Sequence, residues 1–136
     1  MPIVDDRAIK KILEDARTIA VVGASQKPWR DSKSIADFLM RKGYTVYPVN
    51  PRYSEIDGAT CYPDVRSIPA PVDIVDVFRQ PSAVPDIVRD AIVARAKTLW
   101  LQLGVVNEEA ANAAEEAGLQ VIMDRCISVD YRQLIH

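Results

Sequence analysis

Short apolar runs alternate with amphipathic segments along the whole chain. Between the runs, apolar residues recur every three or four positions, as they do on the buried face of a helix. Strands that are apolar throughout and alternate with helices are typical of a parallel sheet covered on both faces. The pattern predicts an α/β fold with a single doubly wound, five-stranded parallel sheet of the Rossmann-like type. Its strands are predicted at residues 18–22, 45–49, 73–77, 99–103 and 119–123.

Polar residues and glycines mark where the predicted helices begin and end. Asp5, Ser82 and Asn107 each precede a helical segment and are predicted N-caps. Gly43 and Gly118 follow helical segments and are predicted to end them. Residues 51–71 hold four of the nine prolines and are predicted to form a loop with at most a short helix near residue 64. A short tail is expected after the fifth strand.

The order of the strands decides where a ligand site is expected. Right-handed crossovers leave few topologies, and the usual doubly wound arrangement has the order 3-2-1-4-5 when strands are counted along the chain. Ligands bind such sheets beyond the carboxyl ends of the strands, at the point where the order reverses. We therefore expect the site in the loops after the strands, between strands one and four.

Composition narrows the class of protein only slightly. A chain of 136 residues suits one domain spanning residues 1–136, and a formal charge of -2 gives no overall basic field for nucleic acid. The N-terminal residues have no signal-peptide pattern and no apolar run reaches membrane-spanning length, so we expect a cytoplasmic protein without a membrane partner. Cys61 and Cys126 have no zinc-like spacing, and His136, the terminal residue, is a poor acid or base.

The loop after the first strand is predicted to bind phosphate. It begins at Gly23, where a backbone can approach an anion closely, and it enters a helix whose first amides favour negative charge. Ser25 and Ser32 offer hydroxyl groups, while Lys27 and Arg30 offer charge-assisted hydrogen bonds. The alternative is that Gly23 only ends a strand and Ser32 only caps a helix.

The dinucleotide fingerprint GxGxxG is incomplete, because Ser25 and Pro28 replace its second and third glycines. The second strand is followed by Arg52, where an NAD site normally places an acidic residue for the ribose hydroxyls. An arginine there suits a ribose phosphate, which NADP and coenzyme A (CoA) both carry. A solvated loop arginine is the alternative interpretation.

Cations follow four of the five predicted strands and are expected to give one basic crevice for a ligand with several phosphates. They are Lys27, Arg30, Arg52, Arg79 and Arg125. Trp29 stands among polar loop residues and Phe78 at a strand end, where each suits contact with adenine or the pantetheine arm. Alternatively, Trp29 only seals its loop and Phe78 only fills the core.

Cys126 falls just beyond the fifth strand and so near the expected crevice, where Arg125 beside it is expected to lower the pKa of the thiol and favour a reactive thiolate. An inert buried cysteine is the alternative, since no histidine base is available. Cys61 has only a structural interpretation.

The chain resembles the small bacterial CoA-binding protein family, itself similar to the CoA-binding domain of the succinyl-CoA synthetase alpha subunit. The resemblance rests on the ordered set Val22–Ser25, Val49–Pro51, Val75–Arg79, Trp100–Gly104 and Asp124–Cys126. It implies a Rossmann-like fold and CoA or acyl-CoA as the ligand. It also implies phosphate contacts from 23–30, including Ala24, nucleotide contacts from Asn50, Pro51, Arg52, Val77, Phe78 and Arg79, and pantetheine contacts from Gln102, Leu103 and Gly104.

The leading hypothesis is a CoA-binding protein that is not by itself an enzyme. The synthetase uses a phosphorylated histidine in a second domain, and His136 does not match that residue. The alternatives are an NADP-dependent oxidoreductase, for which no proton donor can be placed, and a redox regulator in which Cys126 forms a mixed disulfide with CoA. A scaffold without a ligand is a further alternative.

Overall fold

The computed structural model describes all 136 residues and contains seven strands and five α-helices. In chain order these are α1 (Asp6–Asp15), β1 (Thr18–Val22), α2 (Asp31–Arg41), β2 (Thr45–Val49), β3 (Glu55–Ile56), β4 (Ala59–Thr60), β5 (Ile74–Val77), α3 (Val84–Val93), β6 (Thr98–Leu101), α4 (Glu108–Glu116), β7 (Gln120–Met123) and α5 (Ile127–Leu134). Five strands form one parallel sheet, and β3 pairs with β4 in a separate antiparallel hairpin. The predicted α/β fold with a five-stranded parallel sheet is confirmed.

The predicted strand order is wrong. The sheet has the order β2-β1-β5-β6-β7, which is 2-1-3-4-5 when its five strands are counted along the chain. In the order 3-2-1-4-5 the second strand would lie between two neighbours and need hydrogen bonds on both sides. That strand contains Pro48, which has no N–H to donate and is tolerated at a sheet edge. The fully buried strand β5 takes the interior place beside β1 instead.

Helices cover both faces of the sheet. Helices α1, α2 and α5 pack on the face that carries Ile19, Val21 and Trp100. Helices α3 and α4 pack on the opposite face, against Ala20, Val75 and other alternate residues of the same strands. Because each strand is covered on both sides, the apolar runs are continuous rather than alternating. No helix of the protein has the length and apolar composition needed to cross a membrane.

Two of the predicted N-caps are confirmed. The Asp5 carboxylate accepts the N–H of Arg7 at 3.3 Å, and the Asn107 side chain accepts the N–H of Ala110 at 3.0 Å. The third is wrong, because Ser82 lies within a 3₁₀ turn at Pro81–Ala83 and helix α3 begins only after it. Pro81 occupies the first position of this turn, where a backbone N–H would have no partner within the turn, so its missing N–H removes no hydrogen bond.

The connections contain more regular structure than the sequence indicates. Within 51–71 the structure shows the hairpin β3–β4 as well as the expected short helix, a 3₁₀ turn at Val65–Ser67 capped by Asp64. The predicted C-terminal tail is wrong, since residues 127–134 form α5. Ile127 is completely buried, and the short length of this helix hides its periodicity in the sequence.

Two aspartates near β5 have opposite environments. Burial alone would raise the pKa of Asp73, but the N–H groups of Arg17 (2.7 Å) and Thr18 (3.2 Å) and the ammonium of Lys97 outweigh burial and hold it below its usual value. Asp76 is fully buried and neither of its oxygens has a hydrogen-bond partner. Burial therefore raises the pKa of Asp76 well above its usual value.

These environments predict opposite effects of removing each charge. Asp76→Asn is expected to increase the free energy of unfolding at neutral pH by about 1–3 kcal/mol. The wild-type carboxyl has a raised folded-state pKa, so the folded wild-type protein loses stability as the pH rises above the unfolded-state pKa of this group. The gain should shrink as the pH falls toward the unfolded-state pKa. Denaturant titrations between pH 4 and pH 8 measure both quantities.

Asp73→Asn is the matched change and is expected to lower stability at neutral pH by about 1 kcal/mol. Its carboxylate has a lowered folded-state pKa, so its contribution is present above the unfolded-state pKa and disappears as pH falls through the folded value. The same sign for both variants at pH 7 would contradict the assigned environments.

Candidate functional site

A cavity of about 1060 Å³ lies at the carboxyl ends of the strands, between the loops that follow β1, β2, β5 and β6. This volume lies just above the usual range for small-molecule sites, about 300–1,000 Å³. Of the residues assigned to the ligand by the phosphate loop or by the family resemblance, all but one line it. These are Gly23, Ala24, Ser25, Lys27, Trp29, Arg30, Ser32, Asn50, Pro51, Arg52, Phe78, Arg79, Gln102, Leu103 and Gly104.

The exception is Val77, which is completely buried and belongs to the core beneath α3 and α4. It supports the loop of Phe78 and Arg79 from behind. The cavity wall also includes residues that the sequence did not single out, each within two positions of a predicted residue in the chain. These additional residues are Asp31, Tyr53, Gln80, Pro81 and Val105.

The location of the cavity follows from the strand order. Strands β1 and β5 are hydrogen-bonded neighbours, yet β1 leads into α2 on one face and β5 leads toward α3 on the other. The two loops separate as they leave the sheet and a crevice opens between them. The switch point thus lies between the first and third strands of the sheet, and not between the first and fourth as predicted.

Gly23 has a different structural role from the one expected. It has a φ of +91°, and a Cβ built there would lie 2.6 Å from the carbonyl oxygen of Phe78. The missing side chain therefore allows two loops of the protein to pack against each other. Gly23 also lines the cavity, but its N–H and that of Ala24 both donate to the Val49 carbonyl.

Two polar residues of the site organise the loops. The Ser25 hydroxyl accepts the N–H of Lys27 at 3.1 Å. The Asn50 side chain donates to the carbonyl of Ala24 at 2.8 Å and accepts the N–H of Arg52 at 2.9 Å. Asn50 consequently joins the loop after β2 to the loop after β1 and fixes the backbone of Arg52.

The N-terminus of α2 reaches the cavity without a side-chain cap. Arg30 occupies the N-cap position and makes no capping hydrogen bond, so Ser32 is not the cap but lies buried inside the first turn. The Lys33 amide donates to the Arg30 carbonyl at 3.1 Å, whereas the amides of Asp31 and Ser32 have no partner and can donate to an anion. Asp31 in the same turn already complements part of the helix dipole.

Four cations line the cavity: Lys27, Arg30, Arg52 and Arg79. All four are exposed, and none forms an ion pair with an acidic side chain. Asp31 is the one acidic residue in the cavity wall. An otherwise acidic protein therefore has a local excess of positive charge at this cavity.

Arg125 does not join this group, contrary to expectation. Its guanidinium makes two hydrogen bonds of 2.8 Å to Asp130 and approaches Asp6 at 3.5 Å. The fork of an arginine suits a carboxylate held in this bidentate way. Helix α5, which the sequence did not reveal, supplies the partner that draws Arg125 away from the cavity.

Apolar side chains lie exposed at the edge of the cavity. Trp29 is 74% exposed and Leu103 is 70% exposed, although both are large and apolar. The ammonium of Lys27 lies 5.9 Å from the centre of the Trp29 ring. Phe78 is half-buried against the core cluster that includes α1, α2 and α5, so it contributes both to the core and to the cavity wall. Trp29 and Leu103 offer apolar surface to a bound molecule.

The fold and the basic cavity define a doubly wound α/β protein with a candidate anion site at its topological switch point. Residues 17–132 match the family described as the CoA binding domain. The chain belongs to this family, as the resemblance in its sequence implies. The uncharacterized protein YneT of Bacillus subtilis is 40% identical over 121 residues, covering 89% of this chain and 90% of its own.

Solved structures show the same fold. A hypothetical protein from Pyrococcus horikoshii OT3 is 40% identical with a TM-score of 0.96, covering 100% of this chain and 97% of its own.

Acetate–CoA ligase [ADP-forming] I of Archaeoglobus fulgidus is 30% identical over 123 residues, but these are 83% of this chain and only 18% of the ligase. The chain thus corresponds to one part of the ligase.

The close approach at Gly23 predicts a stability difference between two glycines. Gly23→Ala should destabilise the protein by about 1–3 kcal/mol more than Gly43→Ala, because the new Cβ overlaps the Phe78 carbonyl. Gly43 has a similar φ of +96° with nothing within 4 Å, so its substitution costs only left-handed strain, about 1–2 kcal/mol. Chemical denaturation of both variants measures the difference, and equal losses would show that the contact is not limiting.

Proposed function

We propose that this protein binds coenzyme A or an acyl-CoA in the cavity at the carboxyl ends of its strands. The observation that carries the proposal is the group of unpaired cations, Lys27, Arg30, Arg52 and Arg79, around one cavity beside an uncapped helix N-terminus. CoA carries a diphosphate and a ribose phosphate, so it supplies the negative charge that these groups lack. Membership of the CoA binding domain family supports the same ligand.

Different parts of the cavity suit different parts of the ligand. The loop of Lys27 and Arg30 with the first amides of α2 suits the diphosphate, and Arg52 suits the ribose phosphate. Asn50 holds the backbone of Arg52 in place. The exposed Trp29 and Leu103 suit the less polar portions, with the pantetheine arm directed toward 102–104 as the family resemblance implies.

CoA fits this site better than NADP, although both have a ribose phosphate. The glycine pattern that brings a dinucleotide close to the first helix is incomplete here, and the family membership favours CoA. No residue is assigned a catalytic role. The activity of the ADP-forming ligases belongs to much longer proteins, of which this chain spans less than a fifth.

Calorimetric titration with CoA, acetyl-CoA, NADP and NAD tests the proposal directly. We expect binding of CoA or acetyl-CoA that weakens as salt is added, because charged contacts at an exposed site are screened. NAD and NADP should bind more weakly or not at all. If NAD or NADP bound more tightly than either CoA species, the proposal would be abandoned.

Charge reversal at Arg52 predicts a loss that depends on the ribose phosphate. Arg52→Glu should weaken CoA binding about tenfold or more and reduce its dependence on salt, because one charge-assisted contact is replaced by repulsion. Dephospho-CoA, which lacks that phosphate, should lose much less affinity. Arg30→Glu should weaken both ligands, since its proposed contact is the diphosphate.

Arg7→Glu is the matched control for these variants. Arg7 is an exposed arginine of α1 that forms no ion pair and does not line the cavity, so its reversal makes the same change in net charge. Its CoA affinity should remain close to that of the wild type. Equal losses in Arg52→Glu and Arg7→Glu would show only a general electrostatic effect and remove Arg52 from the site.

A further inference from the structure

The turn at 124–126 connects the cavity to a half-buried thiol. Asp124 accepts the N–H of Gly104 at 2.7 Å, and Gly104 lines the cavity. Gln102, also in the cavity wall, accepts the N–H of Ile127 at 3.1 Å, and Ile127 directly follows Cys126 in the chain. Hydrogen bonds to the cavity wall thus hold the turn on both sides of Cys126.

The surroundings of Cys126 stabilise its ionised form. Burial acts to raise the pKa of the thiol, but hydrogen bonds from Ser128, from the Val129 amide and from Gln102 outweigh burial and lower it. The Ser128 hydroxyl lies 3.3 Å from the sulfur, at the N-terminus of α5. The cause differs from the one expected in the sequence, because Arg125 is engaged by Asp130. The thiolate is the nucleophilic form of cysteine.

Asp76 provides an independent observation about the same place. It is fully buried, neither carboxyl oxygen has a partner, and a charge on Cys126 raises its pKa further. Val75 and Val77 point to one face of the sheet, and the Asp76 side chain points to the other. Cys126 packs against the same face as Asp76. Buried carboxyl groups without partners are rare and concentrate at functional sites. The Ser128 hydroxyl lies beside the sulfur and Asp76 has no donor, so the surroundings favour a negative charge on Cys126 over one on Asp76.

We propose that Cys126 is a thiol–disulfide exchange site that forms a mixed disulfide with coenzyme A held in the adjacent cavity. The inference rests on the proposed function, because the cavity supplies the selectivity for CoA. The co-reactant is a disulfide of CoA.

The exchange forms one bond and breaks one. The Cys126 thiolate attacks a sulfur of CoA disulfide, a new S–S bond joins Cys126 to one CoA, and the original S–S bond breaks. The second CoA leaves as a thiolate and takes a proton from water. One disulfide is consumed and one is formed, so no further oxidant is needed.

Intact-mass measurement without reductant tests the exchange. The reduced protein is incubated with CoA disulfide or with glutathione disulfide, and the mass increase is followed in time. We expect one CoA per chain, formed about tenfold faster than the glutathione adduct because binding raises the effective concentration of the disulfide. Arg52→Glu should slow the CoA reaction and leave the glutathione reaction unchanged.

Cysteine variants locate the adduct. Cys126→Ser should form none, whereas Cys61→Ser should behave like the wild type, because Cys61 is buried and burial raises its pKa. An adduct that persists in Cys126→Ser, or equal rates with both disulfides, would overturn the inference. Calorimetry with the thiol form of CoA separates the two proposals: binding without an adduct refutes only the exchange, and absence of binding refutes the proposed function.

The alkylation rate of Cys126 against pH tests where the shared charge lies. The titratable and charged side chains around the turn are Asp6, Asp76, Asp124, Arg125 and Asp130. In a Cys61→Ser background, Asp76→Asn should keep the midpoint for iodoacetamide within about half a pH unit, because asparagine resembles the protonated carboxyl. Ser128→Ala should raise the midpoint. A large fall in Asp76→Asn would show an ionised Asp76 and refute this assignment of the charge.

Discussion

Strands β1 and β5 lie side by side, and the chain leaves them toward opposite faces of the sheet. The loops after the two strands begin in contact and then diverge. At the contact, the Phe78 carbonyl occupies the space where any residue other than glycine at position 23 would place a Cβ. The candidate cavity opens directly beyond this contact. Its walls depend on the contact because Gly23 and Phe78 each begin a loop that supplies cations.

The second feature of the cavity is electrostatic. Lys27, Arg30, Arg52 and Arg79 approach one space without acidic partners, in a protein whose net charge is negative. Elsewhere the protein pairs its charges readily, as Lys33 does with Asp37 and Asp57. Mutual repulsion of unpaired cations is relieved when a polyanion binds, so an arrangement of this kind favours binding at some expense of stability.

The far side of the cavity depends on the turn after β7. Trp100 donates to the carbonyl of Arg125 at 2.9 Å from within the sheet, and Asp124 adopts a left-handed conformation with a φ of 61° while binding Gly104. Together with the hydrogen bond from the Ile127 N–H to Gln102, these contacts hold the turn of Cys126 against the cavity wall. The loop that lines the cavity and the turn that carries the thiol are thus held as one unit, which links ligand binding to the chemistry proposed for the sulfur.

Much of the fold and of the candidate site could be predicted from residues close together in the chain. Apolar runs and helical spacing located the sheet strands, because continuous burial leaves a direct trace in composition. Four of the five loops after these strands were recognised as cavity walls, since parallel strands bring their carboxyl ends to one edge. Asp31 and Tyr53 were missed because nothing in their local sequence distinguishes a cavity wall from an ordinary loop.

The sequence by itself determined the fold class, the position of the site along the chain and the identity of most residues around it, because these follow from local periodicity and from the parallel arrangement of strands. Only the tertiary structure decided the strand order, the pairing of Arg125 with Asp130 and the isolation of Asp76 beside Cys126. Each of these depends on which distant segments meet. Such contacts are governed by packing and by competition among partners, and no short stretch of sequence records them.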